Sequence, residues 1–489
     1  MPYFQSVVLN DIFGLILVTG SHPFITGCRS LLGGQYVIDD PRQMAPYLTD
    51  VRKRAVGKAL AVILPGSTEE VSAVVRLCRE HHIPIVPQSG NTGTVLGSIP
   101  DSTGNAVVLS LKRMDRILEV DADNNTMTVE AGCILDNVHA AARQVDRMFP
   151  LTLASSGSCM IGGNLAANAG GTTVLRYGTA RDLCLGIQTV LPDGAVWDGL
   201  YKLRKNNTGY DLRDLFIGSE GTLGIITAAV LKLFPASGSQ QTAFVAVESP
   251  SYALKLLNLA KKQADCLLTT FELISQRSLN VVLKHFPDLK APFPAISPYY
   301  ILMELSGNGS EGQLADLMEA ILQSAFEEGT VLDACIAQSI AQAKTLWALR
   351  ENISEAQARD GKNIKHDISV PVSQIPAFME DTDARLQAAF PGCRMTVFGH
   401  LGDGSLHYNV GAPEGIPDDV FLTRQDDVNQ VVYDNVARFN GAISAEHGLG
   451  ALKHDKNAHY KDAVEIQLMK KIKQAVDPDG LMNPGKVIP

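Results

Sequence analysis

The chain has 489 residues, 45% of them hydrophobic and 19% charged, the composition of a globular protein too long for one core; about two or three domains are expected. A formal net charge of −10 argues against nucleic acid or an anionic membrane as partner, yet leaves a small acidic substrate open because local charge decides that. Eight scattered cysteines with no CxxC pair fit reduced intracellular thiols better than a disulfide framework or an iron–sulfur site.

Near the N-terminus, the apolar run Phe13–Val18 follows Asn10 and Asp11 and has no basic flank. It falls far short of a membrane span and is read as a local helix or strand of a cytoplasmic protein. From about Ala59 to Pro235, short apolar strands alternate with helices. Leu60–Ser67 reads as a strand and turn, and Ser67–His82 as a helix opened by a Ser-x-x-Glu capping box. Ile83–Gln88, Ala106–Leu111, Arg116–Asp121 and Thr126–Gly132 follow as β segments. The stretch Phe234–Ser239 has linker composition and places a boundary near residue 236. Beyond it come the strand Thr242–Ser249, the helix Tyr252–Gln263, the strand Tyr299–Leu305, the helix Gly312–Glu327 and a last helix, Ala463–Val476.

Two loops of glycine, serine and asparagine, Pro87–Gly93 and Ser155–Gly171, stand in the first half, with a third glycine cluster at Gly218–Ile225. Backbone of this kind turns several N–H groups toward a phosphate, and glycine permits close approach. Two such loops in one domain suggest a pyrophosphate held from two sides. No GxGxxG follows a strand and no GxxxxGK[ST] is present, which argues against Rossmann-type nicotinamide binding and against a P-loop nucleotidase.

The C-terminal half carries FGHLGDGSLHYNV (Phe398–Val410) and ISAEHGLG (Ile443–Gly450). Strand-like pieces around Leu-Gly-Asp-Gly-Ser predict a hairpin that sets His400 beside His407, with His407 and Asn409 on one strand face. Gly441–Glu446 reads as a neighbouring strand ending at the same place. His400, His407 and Glu446 make a two-histidine, one-carboxylate set of the kind that holds a catalytic divalent ion with an open position. Zinc is the first expectation; manganese, cobalt and iron(II) suit the same donors, and a metal hydrolase would use them too. His447, next to Glu446, is placed to move a proton. Upstream, Arg350 and Ser354 are spaced i, i+4 on a predicted helix, and Lys365 lies on a following strand.

Taken together in order, Pro87–Gly93, Ile161–Gly171, Arg176–Asp182, Leu203–Thr227, Gly399–Val410 and Ser444–Gly450 resemble the flavin-dependent D-2-hydroxyacid dehydrogenases of the vanillyl-alcohol oxidase/p-cresol methylhydroxylase (PCMH) superfamily. The likeness runs from about Leu31 to Pro489. It implies an α+β protein with an N-terminal segment (1–55) and a PCMH-type FAD-binding domain of two α+β subdomains (56–235). An FAD-linked oxidase C-terminal substrate/cap domain of antiparallel sheet and helices (236–445) follows, then a C-terminal helical segment returning to the flavin (446–489).

The resemblance also implies roles. Gly90, Asn91, Thr92, Gly93, Gly162, Gly163 and Asn164 would cradle the FAD pyrophosphate. Pro87, Ser89, Ser156, Gly157, Asn168, Gly170, Gly171, Tyr177, Gly178 and Gly221 would line the cofactor. Glu220 and Ile226 would lie near its adenosine half and Asn483 near its isoalloxazine. No histidine stands in Pro87–Gly93 for covalent attachment, so FAD is expected to be non-covalent. His400, His407 and Glu446 become ligands, His447 the general base and a substrate contact, Asn409 a substrate contact, and Arg350, Ser354 and Lys365 the site for a distal carboxylate. Ser405 and His366 depart from the pattern, standing where relatives carry asparagine and tyrosine. The implied reaction is oxidation of a dicarboxylic or monocarboxylic D-2-hydroxyacid, with D-2-hydroxyglutarate first and D-lactate or D-malate second. Electron-transfer flavoprotein or a quinone would take the electrons, and a homodimer is expected.

Overall fold

The computed structural model describes residues 22–488, so the apolar run Phe13–Val18 lies outside the described residues. Among them no helix is long and apolar enough to cross a membrane, and all eight cysteines are free thiols.

Short runs of β-branched residues build the first sheet, with strands in the order Val37–Ile38, Val62–Ile63, Val107–Ser110 and Ile85–Gln88. The Val107–Ser110 strand pairs in parallel with both neighbours. Parallel pairing requires a crossover, and the helix Thr68–Glu80 supplies it, burying Val71, Val74, Val75 and Cys78 at helical spacing. Ser67 caps this helix by accepting from Glu70 N at 3.2 Å. The Glu70 carboxylate, however, accepts from Gly66 N at 2.7 Å, one residue before the donor a capping box would use.

A second, antiparallel sheet follows in the order Ile117–Asp121, Thr126–Glu130, Ile225–Lys232, Cys184–Val190, Val196–Gly199. Val190 and Ile225 reach into the core of the first sheet, so these two α+β units pack as neighbours through shared apolar side chains.

Between Pro235 and Ser239 the chain enters an eight-stranded sheet. Its path runs Asp333–Ile336, Ser239–Val247, Tyr299–Gly307, Leu268–Ser275, Arg394–Gly399, Ser405–Gly411 and Asn363–Ile364, with Asp367–Ser369 also on the Ser405–Gly411 strand. Both faces are covered, which is why the Ser239–Val247 strand reads as a continuous apolar run. Ala243, Val245 and Val247 face one core, under the helices Pro250–Ala264 and Glu311–Glu327. Phe244 and Ala246 face the other, against Gln276–His285 and Ile340–Glu351.

The expected strand Gly441–Glu446 is not formed. Only Ala442 bridges the sheet, opposite Ser369, after which the chain turns. A buried carboxylate takes the amides a strand would have offered, as described below.

After the helix Ala463–Val476 the chain returns to the first sheet. Ile85 N donates to Leu481 O and Asn483 N to Ile85 O, each at 2.8 Å, so Met482 sits as a one-residue parallel strand beside Ile85. Asn483, in the left-handed region at φ +43°, donates from Nδ2 to Gly97 O at 2.9 Å and Glu220 O at 2.8 Å. Asn483→Ala leaves two buried carbonyls without donors and is expected to lower stability by about 1–3 kcal/mol. A urea midpoint unchanged from the native protein would contradict this.

Candidate active site at the domain junction

Strand register assembles the site. Phe398 lies opposite His407, and His407 opposite Asp367, so the three project from one face of the large sheet. Ile274 lies opposite Phe398, which puts Glu272, two residues back, on that face as well. The pairs Ile364–Val410 and Asp367–His407 place Lys365 opposite Asn409 on the same face and turn His366 to the other side. The predicted hairpin is present, and its Leu401–Gly404 turn returns His400 to a ring-centroid distance of 5.9 Å from His407.

Glu446 completes the predicted triad. One nitrogen from each histidine and one Glu446 oxygen lie within 4.8 Å of one another. His400 Nε2 stands 2.9 Å from Glu446 Oε1, and His407 Nε2 stands 3.9 Å from Oε2. Tetrahedral ligands about 2.1 Å from an ion sit about 3.4 Å apart, between these two values, so the donors fit a divalent metal. Burial pushes the His407 imidazole down to about 4, the neutral form a ligand needs, whereas at His400 burial is outweighed by Glu272 and Glu446, which raise that imidazole well above its ordinary value, so binding an ion there displaces a proton. Behind His400, Nδ1 faces Glu272 Oε1 at 2.5 Å, the carboxylate–histidine support that orients metal-binding imidazoles. Burial works to raise the Glu272 carboxyl, but His400 and Arg350 outweigh it and hold it at about 2.

His447 has a support of its own. Asp367, buried at 3% exposure, accepts at Oδ2 from Glu446 N (3.1 Å), His447 N (2.9 Å) and the Ser444 hydroxyl (3.2 Å). The same oxygen stands 3.3 Å from His447 Nδ1. Burial opposes ionisation of Asp367, yet His447, Lys453 and His407 together keep it well below the usual carboxylate range. About a third of the His447 side chain is open to solvent.

On the anion side the structure sorts the expected residues. Arg350 is buried over the Phe398 ring, and its Nε donates to Glu272 Oε2 at 2.7 Å. Its terminal nitrogens have no protein acceptor among the described residues. Ser354 does not share its surroundings: the helix Ile340–Glu351 ends at Asn352, a second helix (Ile353–Asp360) begins, and Ser354 is exposed. Lys365 keeps solvent contact. The Asn409 amide is occupied at both ends, accepting from His366 N at 3.3 Å and donating to Gln357 Oε1 at 2.9 Å, so it braces the sheet edge. His366 is buried on the opposite face between Tyr408 O and Asn429, away from the site. Ser405 Oγ is buried and meets no hydrogen-bond partner among the described residues.

The glycine loops face this centre from the other domain. Gly90 lets them meet, since a Cβ there would stand 2.3 Å from Ser158 O. The Asn91 side chain is tied to Pro46 O (3.2 Å) and Thr49 O (3.1 Å), and its φ is +52°. The amides of Gly90, Asn91, Thr92 and Gly93 meet no protein acceptor among the described residues, nor do those of Gly170 and Gly171. Gly162 N, by contrast, is taken by Ala131 O at 2.7 Å. A Cβ on Gly170 would lie 3.9 Å from Glu446 Cγ, so the second loop touches the triad.

Others of the expected cofactor residues serve the scaffold. The Glu220 carboxylate accepts from Leu449 N (2.7 Å) and Gly450 N (2.9 Å). Ile226 is buried in its strand, and Tyr177 packs on Phe234 at 4.9 Å. Asn168 Oδ1 accepts from Arg181 N at 3.0 Å, and Gly178 ends the helix Val174–Tyr177 at φ +78°. Gly221 packs on Pro87, Gly163 on Ser89 and Gly157 beside Asp136; Asn164 is buried, and Ser156 O accepts from Asp136 N at 3.1 Å.

Residues 237–487 match the family described as FAD linked oxidases, C-terminal domain, and residues 59–199 match an FAD binding domain. The D-2-hydroxyglutarate dehydrogenase of Xanthomonas citri pv. viticola is 41% identical over 448 residues, 92% of this chain and 93% of that enzyme. The mitochondrial D-2-hydroxyglutarate dehydrogenase of Bos taurus is 37% identical over 93% of this chain and 81% of its own length. This chain belongs to the D-2-hydroxyglutarate dehydrogenase family of FAD-linked oxidases. Solved structures share its fold: p-cresol methylhydroxylase with substrate bound has a TM-score of 0.72 at 18% identity, covering 95% of this chain and 96% of that one. Alkyldihydroxyacetonephosphate synthase has a TM-score of 0.69 at 16% identity over 94% of this chain and 84% of that one.

As a member of this family the chain is an FAD-dependent dehydrogenase, and its free loop amides fit the cofactor's pyrophosphate. Sequence reasoning missed Glu272 and Asp367. For Glu272 the signal was an acid between apolar strand residues (Phe271 and Leu273), since such residues are rarely buried unless paired; Asp367, between His366 and Ile368, carried no such signal. Glu272→Gln is expected to weaken metal retention about 10–100-fold while the flavin spectrum stays unchanged. Chelator competition measures this; native-like retention would remove Glu272 from the metal's support.

Proposed function

We propose that the protein oxidises D-2-hydroxyglutarate to 2-oxoglutarate with FAD and a divalent ion, zinc the first choice, at His400, His407 and Glu446. D-lactate or D-malate is the second reading. The observation that carries it is the triad gathered from the hairpin (His400 and His407) and the Ser444–His447 turn (Glu446) beside an aspartate-held histidine, with the cofactor loop at Gly170 against Glu446. The names of the related enzymes support the substrate.

When bound, the ion supplies Lewis acidity toward the 2-hydroxyl and FAD supplies the hydride acceptor. The protein's part is placement and proton transfer. His447 Nε2 takes the hydroxyl proton, and Asp367 stabilises the imidazolium that results. Glu272 holds Arg350 and His400 together, so the guanidinium that receives a substrate carboxylate keeps a fixed relation to the triad. Lys365, on the same face, supplies positive charge for the second carboxylate.

Chelation of the holoenzyme should abolish dye-coupled turnover while the flavin absorbance remains, and added zinc should restore it. Full activity of the chelated protein, or of Glu446→Ala, would sink the metal assignment. Lys365 gives a pH test. Burial, then Arg52 and Arg54, lowers its ammonium from 10.5 to about 8. Its charge is therefore present below about pH 8 and lost as pH rises through that value. kcat/KM for a dicarboxylic hydroxyacid should fall above about pH 8, and Lys365→Arg, which stays charged, should remove that fall. A profile that falls identically in both proteins would refute the role.

A further inference from the structure

The short helix Val174–Tyr177 follows the Ser155–Gly171 loop, and its first three side chains each touch a different part of the site. Val174 packs on the cofactor loop, its Cγ2 lying 3.2 Å from where a Cβ on Gly170 would stand. Leu175 packs on the hairpin that carries His400 and His407. A Cβ on Gly402 would stand 2.8 Å from Leu175 Cδ2, so glycine lets the leucine reach the turn just past His400. Arg176 reaches the large sheet, donating from Nη1 to Ser306 O at 2.6 Å, Ser306 Oγ at 3.0 Å and Thr269 Oγ1 at 3.4 Å.

The sheet is shaped to receive that arginine. Between Leu268 and Thr270 the strand steps past its neighbour Leu305–Glu304 with one residue to spare, which makes Thr269 the extra residue of a bulge. Bulges next to sites re-aim side chains. Thr269 and Ser306, at 4% and 2% exposure, bond to each other as well as to Arg176. Thr270 adds a tie in the other direction, its hydroxyl donating to Thr172 O at 3.0 Å. The next residues of the same strand serve the hairpin: Phe271 O accepts from Gly402 N at 3.2 Å, and Glu272 supports His400. Arg176 makes no ion pair among the described residues, and its guanidinium meets only a carbonyl, two hydroxyls and the Tyr177 ring. So used, it contributes a rigid planar fork, where pairing with a carboxylate would have contributed charge. A single hydrogen bond between domains is ordinary scaffolding. Here one helical turn joins the cofactor loop, the histidine hairpin and the strand of Glu272, and thereby fixes how far that loop stands from the triad.

We infer that Val174–Tyr177 is a spacer that sets the distance between the cofactor loop and the His400–His407–Glu446 triad, with Leu175 and Arg176 as positioning residues for the reaction. This rests on the function proposed above. The C2–H bond of the substrate breaks between the two parts that the helix joins, and a displacement of about 1 Å at such a place can cost about 100-fold in rate. Substrate affinity and metal retention reside in groups the spacer does not touch, so loosening it acts on kcat.

The test uses native holoenzyme, Arg176→Met, Arg176→Lys and Leu175→Ala in dye-coupled assays with D-2-hydroxyglutarate and its C2-deuterated form. Flavin absorbance, the thermal midpoint and chelator competition are read on each protein. Arg176→Met should lower kcat about 10–100-fold while KM changes less than about twofold and metal retention holds. Arg176→Lys, still cationic but without the fork, should recover only part of the loss. Hydrogen exchange of the holoenzymes gives a readout free of turnover: in Leu175→Ala the Leu401–Gly404 amides should exchange about tenfold faster than in the native protein. Native kcat in Arg176→Met, or unchanged exchange in Leu175→Ala, would overturn the inference. A fall in kcat without a deuterium isotope effect would overturn it too, since C2–H cleavage would then not be the step slowed. Parallel loss of kcat, metal retention and thermal midpoint would overturn it by making the helix a general scaffold contact. A native enzyme that does not oxidise D-2-hydroxyglutarate would bring down the proposed function itself, and this inference with it.

Discussion

The site depends on the burial of one carboxylate. Asp367 is an ionised group with almost no access to water, a condition tolerated only when donors converge on it. The donors it gathers are consecutive amides and a side chain of the Ser444–His447 turn. One charge therefore sets the positions of both the proposed metal ligand Glu446 and the proposed base His447. Because Asp367 also lies opposite His407 in the sheet, the turn is registered against the second histidine without direct help from the hairpin.

A second carboxylate completes the suspension. Glu220, from the FAD-binding domain, accepts from Leu449 and Gly450, a few residues past the point where Asp367 lets go. Ser444–Gly450 is therefore strung between carboxylates of two domains. Arg176 adds another tie, donating to Ser306 O at 2.6 Å in the large sheet. Relative motion of the domains would act on Glu446 and His447 before His400 and His407, which belong to one hairpin of the large sheet.

Much of this was legible in the sequence. The two-residue period around Leu-Gly-Asp-Gly-Ser announced the hairpin, and the glycine loops announced an anion cradle, because both signals are local. Gly441–Glu446 carried strand-like composition, yet Asp367, more than seventy residues away, captured its amides. Arg350 and Ser354 had helical spacing, but the break at Asn352 separated a buried guanidinium from an exposed hydroxyl. Glu220 and Asn409 carry contacts the sequence did not announce: Glu220 accepts from two distant amides, and Asn409 joins the His366 amide to the Gln357 side chain. Such roles depend on which distant amide arrives, and no local pattern encodes that.

The return of Leu481–Asn483 to the edge strand Ile85–Gln88 bears on how the molecule is made. The N-terminal sheet borrows edge hydrogen bonds from residues almost four hundred positions further along the chain. Contacts of that separation form late, and a domain lacking them presents an open edge until they do. During translation the cofactor-binding half must therefore wait, incomplete, until Leu481–Asn483 have been made. A chain lacking those three residues would still hold His400, His407, Glu446 and His447, with its first sheet unsealed.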